Sequence, residues 1–169
     1  MAARPHARQP GCDQLGRDPF SGLALPDGWA RLSLENELAG GESQNFDILV
    51  LDTFSSDSIP VHLVTKGAFA LYLAHLQPEG ILAVHITNQH LDLQPVIWQL
   101  ADYYHLNRVL IETAGDGVRG FRSIWMLLAR DPALLENPAI ARASTPLGDY
   151  KTSTRLWTDD YSNLFQILR

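Results

Sequence analysis

Two short apolar segments, each followed by polar side chains, constrain the fold of this chain most strongly. Residues 46–52 (FDILVLD) and 80–87 (GILAVHIT) are nearly unbroken runs of aliphatic and β-branched residues. Because the second run shows little alternation of polar and apolar side chains, it is typical of a strand buried on both faces of a sheet. A segment with helical spacing separates them. The order strand–helix–strand predicts an α/β fold.

The other predicted elements continue this alternation. Thr65 is expected to cap a helix that runs through Leu76 with Phe69 and Leu73 on its apolar face, and residues 78–80 (PEG) are expected to form a turn. Further helices are predicted over residues 30–39, 93–104 and 131–136, strands over 108–112 and 123–129, and an amphipathic segment over 161–168. The last two strands are joined without a helix and should pair antiparallel at the sheet edge. We therefore expect a mostly parallel sheet with an antiparallel last strand.

Composition limits the class of protein. Residues 1–27 are rich in Pro, Gly and Arg and are predicted to be an irregular leader, followed by one domain over residues 28–169. The net charge of −6 argues against a nucleic-acid-binding face, which needs basic residues. The single cysteine, Cys12, allows no internal disulfide. With no long apolar run and no signal-peptide pattern, the sequence predicts a cytoplasmic protein without a membrane segment.

The candidate site follows the two apolar strands. Open α/β sheets bind ligands beyond the carboxyl ends of their strands, which draws attention to Asp52 and to the loop with Ser55 and Asp57. A partly desolvated Asp52 carboxylate could accept a proton or hold an ammonium ion beside a reacting carbon. Alternatively, Asp52 caps a turn and Asp57 begins one. The second strand supplies His85, which we interpret as a core residue rather than a base, followed by Thr87 and Asn88.

Two motifs resemble those of a known family. Residues 50–87 (VLDTFSSDSIPVHLVTKGAFALYLAHLQPEGILAVHIT) resemble the spermidine-synthase-like proteins, whose usual pattern is V-D-A-F-S-S-D-A-I-P-x-H-L-L-T-x-E-A-F followed by G-x-L-A-x-H. Residues 157–163 (WTDDYSN) resemble the same family's C-terminal motif. The resemblance covers residues 30–169. It implies a Rossmann-like sheet of the class I methyltransferase type and chemistry on S-adenosylmethionine or its decarboxylated form, with a small amine such as putrescine as acceptor.

The resemblance also implies roles for individual residues. Asp52 matches the carboxylate that helps to deprotonate and orient the attacking amine. The implied cofactor contacts are Ala30, Arg31, Asp52 and Thr53, and the implied substrate contacts are Ser55, Asp57, Asp159 and Asp160. Asp159 and Asp160 have an alternative interpretation as surface charges or a helix cap. No metal site is expected, because the histidines and the cysteine lack ligand spacing.

Two departures from the family pattern leave the function open. The family's Asp-Ala-Arg motif stands here as Trp29-Ala30-Arg31, and residues 1–28 contain neither the first strand nor the Gly-rich turn that hold the cofactor. A sheet that lacks its first strands is expected to expose an edge, which favours a homodimer or a complementing N-terminal half. The hypotheses are a transferase fragment that transfers an aminopropyl or methyl group, and a non-catalytic remnant that serves in dimerisation or partner binding.

Overall fold

The architecture is a mixed sheet with helices, seen in a computed structural model that describes residues 29–52, 60–115, 122–147 and 154–169. The predicted leader, residues 1–27, lies outside this described part. The elements follow in the order α1 (Trp29–Ala39), β1 (Phe46–Leu51), α2 (Lys66–His75), β2 (Leu76–His85), α3 (Gln94–Tyr103), β3 (Asn107–Thr113), β4 (Ser123–Ala129), α4 (Pro132–Leu135), α5 (Pro138–Ala143) and β5 (Ser144–Thr145). Two 3₁₀ turns lie at Val61–Leu63 and Leu164–Ile167. The α/β class is confirmed; α5 and β5 were not predicted.

The strand order of the sheet is β1-β2-β4-β3-β5. Among the described strands, β1 and β2 alone pair in parallel, and the other three pairings are antiparallel. The sheet is therefore mixed rather than mostly parallel. The predicted antiparallel pairing of β3 with β4 is confirmed. The pair lies one strand in from the predicted edge, because the short strand β5 pairs with the other side of β3. Composition explains the order within the pair: β4 (SIWMLLA) is apolar almost throughout and suits an interior strand, whereas β3 begins with Asn107 and Arg108.

The turn predicted at residues 78–80 is not a turn. The chain continues as a strand from Leu76, and the register between β1 and β2 shifts between the pairs Phe46↔Leu76 and Ile48↔Ile81. This irregularity accommodates Pro78, which has no N–H to donate to a strand ladder. At Gly80 a Cβ would lie 2.6 Å from Leu76 Cγ, so the position requires glycine.

Helix α2 forms as the sequence predicts. Thr65 caps it, accepting a hydrogen bond from the Ala68 N–H at 3.2 Å. Phe69 and Leu76 from the predicted apolar face are buried, and Leu73 packs against the core. The core lies between the sheet and the helices and includes Leu82, Val84, Ile97, Leu100, Ile124, Met126, Leu128 and Trp157. None of the described helices has the length and apolar character needed to cross a membrane.

Candidate functional site

Asp52 lies directly after β1, beyond the carboxyl end of that strand, where a ligand site was predicted. The parallel register pairs Leu51 with Val84, which places Asp52 beside His85 at the end of β2. The Asp52 Oδ1 atom is 2.6 Å from His85 Nδ1. The Asp52 side chain is 57% exposed and the His85 side chain is 18% exposed. The carboxylate is thus held through one oxygen while much of it faces solvent.

His85 is part of a longer chain of hydrogen bonds. Its Nε2 atom lies 2.6 Å from Thr87 Oγ1, and Thr87 Oγ1 accepts the backbone N–H of Ile124 at 2.7 Å. On one face, the His85 ring stacks on Trp125 with 4.6 Å between centroids and an interplanar angle of 19°. The sequence predicts that His85 is a core residue rather than a base. In the structure its side chain is 18% exposed and lies against Asp52, the predicted catalytic carboxylate.

A second group of polar side chains joins α1, the start of α2 and the C-terminal motif. Asp159 accepts hydrogen bonds from Arg31 Nη1 at 2.8 Å and Nη2 at 3.0 Å, and from the Thr65 hydroxyl at 2.6 Å. Arg31 also donates to Glu35 Oε1 at 2.8 Å and to the His62 carbonyl at 2.8 Å. We call Arg31, Thr65 and Asp159 the clamp. It ties the segment that contains WTDDYSN to the helices.

Electrostatics within the clamp keep both ionisable groups charged. The hydrogen bonds from Arg31 and Thr65 lower the pKa of Asp159 below its usual value. The hydrogen bond to Asp159 raises the already high pKa of Arg31, although burial opposes this. A two-point guanidinium–carboxylate contact has fixed geometry, and the clamp therefore sets where residues 157–160 lie against α2.

Gly67 allows the close approach on which the clamp depends. A Cβ built at Gly67 would lie 2.1 Å from Asp159 Oδ2, well inside van der Waals contact. Lys66 supports the same approach by donating its backbone N–H to the Trp157 carbonyl at 2.8 Å. Trp157 itself is 1% exposed, so this motif is anchored in the core.

Asp160 differs from Asp159 in its contacts: both side chains are exposed, but the described ion pairs include Asp159 and not Asp160. Asp160 lines a shallow cavity of about 390 Å³ beside the start of α2. The other lining residues are Lys66, Gly67, Ala70, Tyr104, Thr158 and Asp159. Within this cavity the Tyr104 hydroxyl donates to the Lys66 carbonyl at 2.7 Å.

The remaining candidate residues divide between the described and undescribed parts. Thr53, Ser55 and Asp57 lie outside the described residues. Ala30 lies in α1. Asn88 closes a turn, because its Oδ1 accepts the backbone N–H groups of His90 and Leu91. The structure thus brings Asp52 together with His85, and Arg31 together with Asp159, in two groups.

Sequence reasoning missed the link between Asp52 and His85, although a signal was present. Both residues end neighbouring apolar strands, and the carboxyl ends of parallel strands meet at one edge of a sheet.

No protein-family model matches this chain, and no curated protein matches it. Among the described residues, no group of three or more His, Cys, Asp or Glu side chains could hold a metal ion. Functional inference therefore depends on the residues themselves.

Proposed function

We propose that this chain is the amine-binding part of a Rossmann-like transferase of the spermidine-synthase type, with Asp52 as the residue that holds the attacking amine and takes its proton. One observation carries the proposal. The Asp52 carboxylate lies beyond the carboxyl end of a parallel strand, is 57% exposed, and is hydrogen-bonded to His85. An exposed carboxylate with one oxygen held in place suits the recognition of a primary ammonium group.

The chemistry of amine transfer requires such a group. At neutral pH a primary amine is mostly protonated, and its nitrogen cannot attack carbon until it loses a proton. A carboxylate can first bind the ammonium ion and then accept one of its protons. The freed nitrogen lone pair can then form the carbon–nitrogen bond while the carbon–sulfur bond of a sulfonium donor breaks and a neutral thioether leaves. Asp52 fills both roles in the proposal.

The sheet supports the proposed family. The antiparallel strand β4 lies between β2 and β3, which run in the same direction. This arrangement agrees with the class I methyltransferase variant that the resemblance implies. The proposed co-substrate is accordingly decarboxylated S-adenosylmethionine or S-adenosylmethionine.

The described residues fit an amine site better than a nucleotide site. Arg31, a proposed cofactor contact, donates four hydrogen bonds to Glu35, His62 and Asp159. Its guanidinium therefore fits the clamp rather than a bound nucleotide. For this reason the proposal gives Arg31 no role in binding the co-substrate and concerns what Asp52 does to the amine.

A transfer assay tests this function. Purified chain is incubated with putrescine and either decarboxylated S-adenosylmethionine or S-adenosylmethionine, and the aminopropylated or methylated amine is quantified by mass spectrometry. We expect Asp52→Asn to lower the rate about 100-fold, the lower range for loss of a general base. Asp47→Asn is the matched control, because Asp47 is an exposed acid on the same strand. Equal rates for Asp52→Asn and wild type would contradict the role of Asp52.

A second candidate function is dimerisation or partner binding without catalysis. Strand β1 has one neighbour, β2, in the described sheet, and Ile48 and Val50 on one of its faces are 60% and 51% exposed. An apolar edge strand is a surface on which another chain can add a strand. The proposed partner is a second copy or a complementing N-terminal half.

Sedimentation velocity tests the second candidate. The chain should sediment as a dimer, and Val50→Lys should shift it to a monomer. Phe165→Lys serves as the control, because Phe165 is 85% exposed but lies on the C-terminal 3₁₀ turn. A wild-type monomer across the micromolar range would contradict homodimerisation and leave the complementing half as the partner to test.

A further inference from the structure

The hydrogen bonds behind Asp52 form one directed series across the strands. The Ile124 N–H donates to Thr87 Oγ1 at 2.7 Å. Thr87 Oγ1 lies 2.6 Å from His85 Nε2, and His85 Nδ1 lies 2.6 Å from Asp52 Oδ1. The series therefore runs from Ile124 through Thr87 and His85, and it ends at the exposed carboxylate of Asp52.

The partners of the His85 ring determine where its proton lies. A neutral imidazole carries one N–H, and its other nitrogen is an acceptor. If the proton were on Nε2, the Nδ1 lone pair would face the Asp52 carboxylate at 2.6 Å, which places two acceptors in contact. With the proton on Nδ1, the ring donates to Asp52, and the Thr87 hydroxyl donates to Nε2. The backbone N–H of Ile124 holds the Thr87 oxygen in the position that this second bond needs.

The sheet also fixes the orientation of the ring. His85 and Trp125 are register partners in the antiparallel pair of β2 and β4. Their rings stack at 4.6 Å, which restricts rotation of the imidazole. Stacking on Trp125 thus fixes the plane of the imidazole ring, and hydrogen bonds at both nitrogens fix its rotation within that plane.

We infer that His85 is a positioning residue for the amine site: its Nδ1–H fixes Asp52 Oδ1, so that the other carboxylate oxygen, Oδ2, meets the ammonium group. The Thr87 hydroxyl, held by the Ile124 N–H, donates to Nε2 and so favours the tautomer with the proton on Nδ1. This inference rests on the proposed function, because it assigns a task to His85 in amine binding. It adds a residue pair, His85 and Thr87, to a site for which the sequence suggested Asp52.

The first test needs no ligand. Nitrogen-15 NMR of the imidazole ring reports which nitrogen carries the proton. Wild type above neutral pH should show His85 protonated at Nδ1. Asp52→Asn should change this signal, whereas Asp47→Asn should leave it unchanged. A ring protonated at Nε2 in wild type, or a signal unaffected by Asp52→Asn, would overturn the inference.

The second test measures amine binding by titration with putrescine. His85→Ala should weaken binding about tenfold, the lower range for removal of a residue that orients a ligand-binding group. His85→Asn should recover most of the loss, because its amide can donate from near the Nδ1 position. Thr87→Val should weaken binding less than His85→Ala, with Thr87→Ser as the variant that keeps the hydroxyl.

The outcomes separate the two claims. If the ring signal depends on Asp52 but wild type binds no putrescine, the proposed function fails and the assignment of an amine-positioning role fails with it, while the hydrogen-bonded pair stands. If wild type binds putrescine and His85→Ala binds equally well, the positioning role alone is wrong.

Discussion

At Gly67 the absence of a methyl group permits a close contact with Asp159. Helix positions disfavour glycine by about 1 kcal/mol relative to alanine, because glycine loses more backbone entropy on folding. Here the cost is offset by the contact that glycine permits, since Asp159 Oδ2 occupies the space a Cβ would fill, 2.1 Å away. The carboxylate can then reach both Arg31 and Thr65.

We predict that the effect of Gly67→Ala changes sign with the residue at position 159. In wild type the substitution should lower the free energy of unfolding by about 1–2 kcal/mol, because Asp159 must move away from Arg31. In an Asp159→Ala background it should raise that free energy by up to about 1 kcal/mol, since the three atoms nearest the new Cβ all belong to Asp159. Urea unfolding of wild type, the two single variants and the double variant measures the coupling. Additive effects would show that the clamp does not require glycine at position 67.

At the scale of elements, pairing order was harder to predict than element type. Most helices and strands follow from apolar spacing and capping residues, as Thr65 and α2 show. The insertion of β4 between β2 and β3 does not, because strand order depends on contacts between residues far apart in the chain. The irregular start of β2 was not predicted, because it too depends on pairing with a distant segment. Pro78 and Gly80 are residue types typical of turns, but in the structure they lie in β2, where its pairing with β1 is irregular.

Gly80→Ala tests the packing of that irregular segment. A Cβ at Gly80 would lie 2.6 Å from Leu76 Cγ and 2.9 Å from the Phe46 carbonyl oxygen. We predict a loss of about 1–3 kcal/mol in the free energy of unfolding, the usual range for overpacking. Gly40→Ala, where the nearest atom would be 3.3 Å away, should cost less than about 1 kcal/mol. Equal losses in urea unfolding would show that β2 adjusts freely at this point.

The candidate site shows the same division between local and long-range information. Asp52 could be predicted because strand ends bind ligands in α/β sheets. The partner of Asp52 was missed although both residues end neighbouring strands, since His85 lies 33 residues away and its side chain suits a core position equally well. The partner of Arg31 is further still, at Asp159, 128 residues along the chain. The sequence motif marked Asp159 without indicating that it holds Arg31.

For the molecule as a whole, the clamp predicts a component of acid sensitivity. The pKa of Asp159 is lower in the folded chain than its usual value, chiefly because of the hydrogen bond from Arg31. A lowered folded pKa contributes stability above the unfolded value of about 3.9, and that stability is lost as pH falls through the folded pKa. The contribution should be about 1 kcal/mol or less, since the Asp159 side chain is 47% exposed and solvent screens the pair.

Thermal unfolding across pH measures this component. Asp159→Asn should lower Tm by about 2–4 °C per kcal/mol lost at pH 7, and the difference from wild type should shrink below about pH 4. Asp160→Asn is the neighbouring control, because none of the described ion pairs involves Asp160. A constant difference in Tm from pH 7 to pH 2 would contradict a charge-dependent clamp.

The central claim is that Asp52 forms an amine site, and calorimetric titration with putrescine tests it most directly. Wild type and Asp47→Asn should bind the diamine with equal affinity, and Asp52→Asn should bind at least about tenfold more weakly, because loss of the carboxylate charge removes a charge-assisted hydrogen bond. Binding that is unchanged by Asp52→Asn, or the absence of binding by folded wild type, would contradict the claim.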